Sequence, residues 1–145
     1  MIRDELVAEA LSWRGTPYHP HARLKGIGVD CANLLLAVYE RAGALPHIDP
    51  GHYPTGWHLH RNEELFLDWI ARVGGREITR AEARPGDIAV WRFGRTYSHG
   101  GMLVDDAGLV VHAYLDSGVR QNRLDEEPLA SRPVRFFRLL PAEEV

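Results

Sequence analysis

The 145-residue sequence has a single cysteine, Cys31, and no long apolar run. One cysteine cannot form an internal disulfide, which excludes a disulfide-stapled scaffold. No apolar stretch approaches the roughly 20 residues of a membrane-spanning helix, so we expect no membrane insertion. The first residues also lack the apolar core of a signal peptide. We therefore expect a protein that is made in the cytoplasm without an export signal of its own.

The sequence also lacks an excess of positive charge. Its net charge is −3 and its isoelectric point is near 6.2, which gives no electrostatic footprint for nucleic acid or for an anionic membrane. Apolar residues make up 45% and charged residues 26%, which is typical of a globular protein. The length suits one domain over residues 1–145, with a core of ordinary size.

The first half of the sequence predicts three helices and two loops. The helices cover residues 3–13, 31–42 and about 62–73, and the loops at 15–30 and 44–60 are rich in glycine and proline. The second helix is apolar on nearly every side, which predicts a buried central helix. The third helix is expected to begin after Asn62 as its N-cap and to face inward through Leu65, Trp69 and Ile70.

The second half of the sequence predicts a meander of strands. Five segments are predicted to be strands, at 88–93, 101–104, 109–114, 119–123 and 134–138. Asp105-Asp106-Ala107-Gly108 predicts a hairpin turn between the second and third of these strands. Helices followed by a meander indicate an α+β fold in which the helices pack on one face of an antiparallel sheet.

Cys31 lies where a glycine-rich loop enters the central helix. The first turn of a helix has unpaired N–H groups and a partial positive charge, which favour a thiolate. Cys31 is therefore a candidate nucleophile. The alternative is a small buried hydrophobic residue, which is the commonest role of a free cysteine.

Two histidines of the strand half could supply a base for Cys31. His99 is predicted where a strand begins, and His112 lies inside the following strand. The short hairpin between them makes these strands antiparallel neighbours, so the two rings could meet on one face of the sheet. Cysteine catalysis needs a base and a third group that orients the base. Taken alone, His112 could also be a satisfied core histidine and His99 a polar residue at a strand edge.

Five short blocks in this order resemble the NlpC-type cysteine peptidases, papain-like enzymes that cut peptides of the bacterial cell wall. No single block identifies the family, but five blocks in this order, each with the expected local structure, are a strong signal. They are Trp13-x-Gly15-Thr16-Pro17-Tyr18, Gly28-Val29-Asp30-Cys31-Ala32-Asn33-Leu34, Pro85-Gly86-Asp87-Ile88, Ser98-His99-Gly100-Gly101-Met102-Leu103-Val104 and Val111-His112-Ala113.

The resemblance implies a papain-like fold with the nucleophile at the N-terminus of the central helix. It makes Cys31 the nucleophile, His99 the base and His112 the group that orients the base. The hydroxyl of Tyr18 matches a group that helps to bind the oxyanion beside the backbone N–H of Cys31. Asp30 matches a residue that holds a substrate amine in some members. Its alternative role is that of a solvated carboxylate near a helix terminus.

Further positions concern the substrate. The resemblance places Ser98 with the oxyanion- and substrate-binding residues, and Ala32-Asn33 replaces the small Ser/Gly pair usual after the cysteine, which predicts a pocket of different shape. Trp57, in the Trp- and His-rich stretch 53–60, is expected to line the cleft or to dock on a neighbouring protein. The alternative is that Trp57 packs as a hydrophobic plug against the third helix.

The implied substrates are the stem peptides of peptidoglycan, cut without a cofactor. A catalytic domain with this insert and no wall-binding module resembles the subgroup encoded with phage tails and gene-transfer particles. Phage-like tail proteins are therefore expected partners, and the site of action is expected to be the periplasm or the cell wall.

Three other readings stay open. Eight histidines could include a metal site built on His19-x-His21 or His58-x-His60 with Asp30 or Asp49, although neither pair has a standard zinc spacing. The chain could instead be a non-catalytic tail or scaffold module that keeps the fold. It could also act on lipid amides or esters, as related papain-like enzymes do.

Overall fold

A computed structural model describes residues 1–51 and 65–141. In this part of the chain there are three helices, α1 (Ile2–Ser12), α2 (Cys31–Arg41) and α3 (Leu65–Arg72). The strands are β1 (Arg23–Leu24), β2 (Gly28–Val29), β3 (Arg76–Ile78), β4 (Ile88–Phe93), β5 (Thr96–Leu103), β6 (Leu109–Tyr114), β7 (Gly118–Arg123) and β8 (Val134–Arg138).

The main sheet is antiparallel and has the strand order β3-β8-β4-β5-β6-β7. Its central strands follow the predicted meander. The turn between β5 and β6 is held by Asp105, whose Oδ1 accepts hydrogen bonds from the backbone N–H groups of residues 107, 108 and 109, each at 2.9 Å. β1 and β2 form a separate small hairpin within the loop that precedes α2.

The helices cover one face of this sheet. Leu34, Leu35 and Val38 of α2 belong to one core cluster with Val90, Met102 and other residues of that face. A second cluster lies on the opposite face and includes Trp91, Leu103 and Leu129. The protein is therefore an α+β molecule with helices packed on one face of an antiparallel sheet, as the sequence predicts.

The central helix begins at Cys31 because Asp30 caps it. Asp30 has extended backbone angles, and its Oδ1 accepts a hydrogen bond from the N–H of Asn33 at 2.9 Å. Seven residues of α2 are buried, which confirms the prediction of a buried central helix. The cap fixes the point where the helix starts, and with it the position of the cysteine.

Two details of the prediction are corrected. β5 begins at Thr96, so His99 lies within this strand and not at its start. In α3 the inward-facing residues include Phe66, which is buried with Ile70, while the half-buried Leu65 and Trp69 pack against the same core. Phe66 takes the inward position because Gly100 of β5 leaves space for its ring. The proposed cap Asn62 lies outside the described residues.

An ion cluster joins the helix half to the strand half. Asp87 is fully buried and accepts hydrogen bonds from the guanidinium of Arg138 at 2.9 and 3.1 Å, and Arg3 of α1 approaches it to 3.2 Å. A buried carboxylate is tolerated only when it is paired in this way. The Pro-Gly-Asp turn thus carries a structural carboxylate.

None of the described helices combines the length and apolar character that crossing a membrane requires.

Candidate active site

The sulfur of Cys31 lies against the backbone of β5. Sγ donates a hydrogen bond to the carbonyl oxygen of Ser98 at 3.6 Å, and the N–H of Gly100 hydrogen-bonds to the sulfur. These two peptide groups flank His99 in the sequence. The structure therefore brings the predicted nucleophile to the strand that carries the predicted base.

The thiol reaches β5 where that strand has an open edge. β5 pairs with β4 from Thr96 to Met102, but its pairing with β6 runs only from Gly101 to Leu103. Within the described residues, the backbone before Gly101 therefore has no strand beside it on the β6 side. Instead of a strand, the sulfur of Cys31 contacts the peptide groups there.

The environment of Cys31 opposes ionisation of the thiol. Burial of the sulfur and then the negative charge of Asp30 raise the pKa of Cys31 to about 12, although three backbone N–H groups act in the opposite direction. The N–H groups at the helix N-terminus favour a thiolate, as expected, but they are not the largest influence on the pKa of Cys31. Desolvation and a neighbouring carboxylate outweigh the helix terminus.

His99 and His112 meet as their positions in the sequence predict. Nε2 of His99 lies 2.8 Å from Nδ1 of His112, and both rings are buried. His112 is directly opposite Gly101, so His99 is its diagonal neighbour on the same face of the sheet. This is the face that lies away from the helices.

Asn122 of β7 extends this pair of histidines. Its Oδ1 lies 2.8 Å from Nε2 of His112, and the side chain is only 3% exposed. The sequence interpretation did not include Asn122, because Arg-Gln-Asn-Arg looks like a solvated strand. The alternation of side chains along β7 could have identified it. Arg120 lies opposite His112, and Asn122, two residues further on, lies on the same face of the sheet. Asn122, His112 and His99 thus form a continuous series of side chains in hydrogen-bond contact, which we call the relay.

Aromatic rings hold the relay in place. Trp91 faces His99 across the β4–β5 pair, with ring centroids 5.7 Å apart, and its centroid lies 6.2 Å from that of His112. Phe93 packs on His99 with a centroid distance of 5.0 Å. Burial in this cluster lowers the pKa of His112 below its ordinary value, while the hydrogen bond to Asn122 raises it. The His112 ring is therefore held in its neutral form.

Glycine is required beside the relay. A Cβ at Gly101 would lie 2.9 Å from the carbonyl oxygen of Val111 and 3.0 Å from Cβ of His112, and it would also press on Trp91. These contacts are closer than packed side chains adopt. The absence of a side chain at 101 lets the two histidines approach each other.

Tyr18 lies near the thiol, as the resemblance implies. It forms a single bridge to Val29, two residues before Cys31, and its side chain is half-buried. Burial, with the charges of Cys31 and Asp30, raises the pKa of Tyr18 above its ordinary value. The hydroxyl therefore remains protonated and can donate a hydrogen bond.

Asp30 is not a solvated carboxylate, so that alternative is wrong. Its side chain is 3% exposed, and besides capping α2 it accepts a hydrogen bond from the N–H of His21 at 2.8 Å. Both carboxylate oxygens thus bond to backbone N–H groups. A role in holding a substrate amine is left as a prediction.

The remaining predicted site residues differ in their surroundings. Ser98 presents its carbonyl to Cys31, while its hydroxyl donates to the carbonyl of Phe93 at 3.4 Å. Asn33 lines a polar cavity of about 430 Å³ together with residues including His21 and Asp49, and its Oδ1 accepts from Nε of Arg23 at 3.0 Å. Trp57 lies outside the described residues.

The metal alternative has no support in the described part of the chain. No group of three or more histidine, cysteine, aspartate or glutamate side chains is arranged there to hold a metal ion. Nδ1 of His19 bonds to the carbonyl of Pro20 at 3.0 Å. His58 and His60 lie outside the described residues.

Comparison with protein families gives one match. Residues 12–138 match the NlpC/P60 family, a span that includes α2, the relay and all six strands of the main sheet. No match was found among the curated proteins.

Solved structures share the fold at low sequence identity. The NlpC/p60 domain of the peptidoglycan hydrolase SagA is 20% identical, with a TM-score of 0.64 over 92% of this chain and 96% of that one. NlpC2 from Trichomonas vaginalis is 19% identical, with a TM-score of 0.66 over 94% of this chain and 46% of that one. An NlpC/P60 family protein from Bacillus cereus is 18% identical, with a TM-score of 0.68 over 96% and 40%. The chain thus spans less than half of the latter two proteins.

Proposed function

The chain belongs to the NlpC/P60 family, and from this membership we propose that it is a cysteine peptidase that hydrolyses peptide bonds in the stem peptides of bacterial peptidoglycan. The observation that carries the proposal is the relay beside a half-buried cysteine at a helix N-terminus. A nucleophile, a base and an orienting group are the parts that acyl transfer requires.

In the proposed reaction His99 takes the proton of the Cys31 thiol as the sulfur attacks the scissile carbonyl carbon. The hydroxyl of Tyr18 and the backbone N–H of Cys31 stabilise the developing oxyanion. The C–N bond then breaks, and His99 gives its proton to the leaving amine, which leaves a thioester on Cys31. Water, deprotonated by His99, hydrolyses the thioester and restores the thiol.

The raised pKa of Cys31 adds one requirement to this scheme. Because the raised pKa keeps the thiol protonated near neutral pH, the proposed proton transfer to His99 accompanies substrate binding or attack. A substrate ammonium group that pairs with Asp30 would offset the negative charge that opposes the thiolate. This gives Asp30 a role in activation as well as in capping.

The test is digestion of purified peptidoglycan fragments, with the products identified by mass spectrometry. We expect two products whose masses sum to that of the substrate plus one water, and no products with Cys31→Ser. Cleavage of an acyl-lipid amide or ester with intact wall peptides would instead identify a lipid hydrolase. Equal cleavage by the wild type and Cys31→Ser, or no cleavage of wall peptides at all, would contradict the proposal.

We also propose that a phage-like tail carries the enzyme to the periplasm or wall. The support is the sequence resemblance to the particle-associated subgroup, including the Trp- and His-rich stretch 53–60. If the proposal is right, the protein co-sediments with intact tail particles from the producing cells and is absent from free culture medium. A protein found only free of such particles would contradict it.

A further inference from the structure

The hydrogen bonds of the relay have a donor-to-acceptor direction that Asn122, at the end away from Cys31, determines. The amide oxygen of Asn122 can only accept a hydrogen bond, so Nε2 of His112 must carry the proton of the 2.8 Å contact between them. In a neutral ring the other nitrogen, Nδ1, is then an acceptor. The tautomer of His112 thus follows from the position of one amide oxygen.

The same logic passes to His99. Nδ1 of His112 lies 2.8 Å from Nε2 of His99 and, as an acceptor, needs a proton from it. Neutral His99 is therefore protonated at Nε2 and has its basic lone pair at Nδ1. Nε2 cannot serve the thiol, because it is already bonded to His112. The base of the proposed reaction is the one nitrogen that the relay leaves unprotonated.

We propose that Asn122 is a positioning residue that fixes the tautomers of both histidines and so keeps Nδ1 of His99 as the base for Cys31. The inference rests on the proposed function for its catalytic consequence. The tautomers themselves follow from the position of the Asn122 amide oxygen and from the neutral form of His112. The amide is buried at 3% exposure in the relay, where solvent cannot replace it as an acceptor.

An amide suits this role better than a carboxylate would. A carboxylate in the same place would favour a positively charged His112, whereas the amide accepts the same hydrogen bond without adding charge. The buried aromatic surroundings of His112 also disfavour its charged form. Asn122 thus selects a tautomer of His112 while it adds no charge to the relay.

The first experiment reads the tautomers directly. Ring nitrogen shifts of the 15N-histidine-labelled protein, assigned with His99→Gln and His112→Gln, distinguish protonation at Nε2 from protonation at Nδ1. We expect Nε2–H in both His99 and His112 of the wild type at neutral pH. Nδ1–H in either ring would overturn the inference, whether or not the protein cleaves wall peptides.

Variants then test the role of the amide. Asn122→Leu removes the acceptor at similar volume, so we expect both tautomers to appear in the spectra and kcat to fall on the order of 100-fold with little change in KM. Asn122→Asp keeps an acceptor, so it should retain the Nε2–H tautomers and most of the activity. Its added charge should move the acid limb of the kcat profile to higher pH.

Gln121→Leu is the matched control. Gln121 precedes Asn122 in β7, but its amide contacts Arg14 at the surface, 3.0 Å from Nη1. The Gln121→Leu substitution should leave the histidine nitrogen spectrum and kcat unchanged. If Asn122→Leu behaves like this control, the inference fails. If Asn122→Leu does not fold, the inference is tested by the wild-type nitrogen spectrum and by the dependence of kcat on pH in Asn122→Asp. Nε2–H tautomers in a protein that cleaves no wall peptide would refute the proposed function and uphold the inference.

Discussion

Asp30 caps the helix that begins at Cys31 and, second only to burial, raises the pKa of the Cys31 thiol to about 12. The same carboxylate thus fixes the position of the sulfur and keeps it protonated. This relationship distinguishes the site from one that holds a pre-formed thiolate, and it can be tested on the ligand-free protein.

The first prediction concerns the reactivity of this thiol. Because its pKa lies above that of free cysteine, near 8.5, Cys31 should react with iodoacetamide more slowly than free cysteine at pH 7. The rate should rise as the pH approaches 12. Asp30→Asn should accelerate the reaction, because it removes a negative charge that raises the pKa and still provides an N-cap.

Asp116→Asn is a suitable control for this measurement. Asp116 has a positive φ of 74°, a conformation that asparagine adopts readily, and it lies in the turn after β6. It should leave the alkylation rate unchanged. Faster alkylation of the wild type than of free cysteine at pH 7 would show that the resting site holds a thiolate after all.

The second prediction separates the two histidines. His99→Ala should lower kcat by about 10²–10⁴-fold, because it removes the proposed general base. His112→Gln should cost much less than His112→Ala, since a glutamine can accept from His99 and donate to Asn122 in place of the ring. Equal losses in His112→Ala and His112→Gln would mean that the bridging hydrogen bonds do not matter. Full activity in His112→Ala would make His112 only a core residue.

The third prediction uses adjacent glycines of β5 that face opposite sides of the sheet. Gly101→Ala presses on His112 and Trp91, whereas Gly100→Ala presses on Phe66 and on Leu35, at 3.0 Å. Each should cost about 1–3 kcal/mol of unfolding free energy. Only Gly101→Ala should lower the kcat of the folded protein strongly. Urea unfolding and single-turnover kinetics measure the two effects, and a larger kcat loss in Gly100→Ala would refute this division.

The fourth prediction concerns the buried ion cluster. Asp87→Ala leaves the guanidinium groups of Arg138 and Arg3 buried without their carboxylate, which should cost about 3–5 kcal/mol. Glu77→Ala breaks the half-exposed pair with Arg135 and should cost less than about 1 kcal/mol. Chemical denaturation compares the two. Similar losses would mean that Asp87 does not hold the two halves of the fold together.

Much of the fold is readable from the sequence because its strands are strongly apolar. β4, β6 and β8 begin and end where the β-branched and aromatic runs predict. β3 was not predicted, since Arg76-Glu77-Ile78 is a short polar edge strand that forms only because β8 pairs with it. Such an edge has no pattern of its own to detect.

The candidate site also has a part that the sequence predicts and a part that only the folded structure shows. His99 and His112 follow from the alternation of side chains across one hairpin, which is a local property of the sequence. Asn122 and the raised pKa of Cys31 depend on which groups the fold buries together. Position in the sequence shows that a helix N-terminus favours a thiolate. It does not show how deeply the sulfur is buried or that the charge of Asp30 faces it.

The separation of the site residues along the chain sets the order in which the site can be assembled. The three relay residues lie within residues 99–122, in consecutive strands, whereas Cys31 and the carbonyl it contacts are 67 residues apart. Contacts between residues distant in the sequence cost more chain entropy than contacts within a hairpin. A chain still emerging from the ribosome contains Cys31, the proposed nucleophile, well before it contains His99, the proposed base. The proposed peptidase activity therefore requires that β5, β6 and β7 have first joined the helix that carries Cys31.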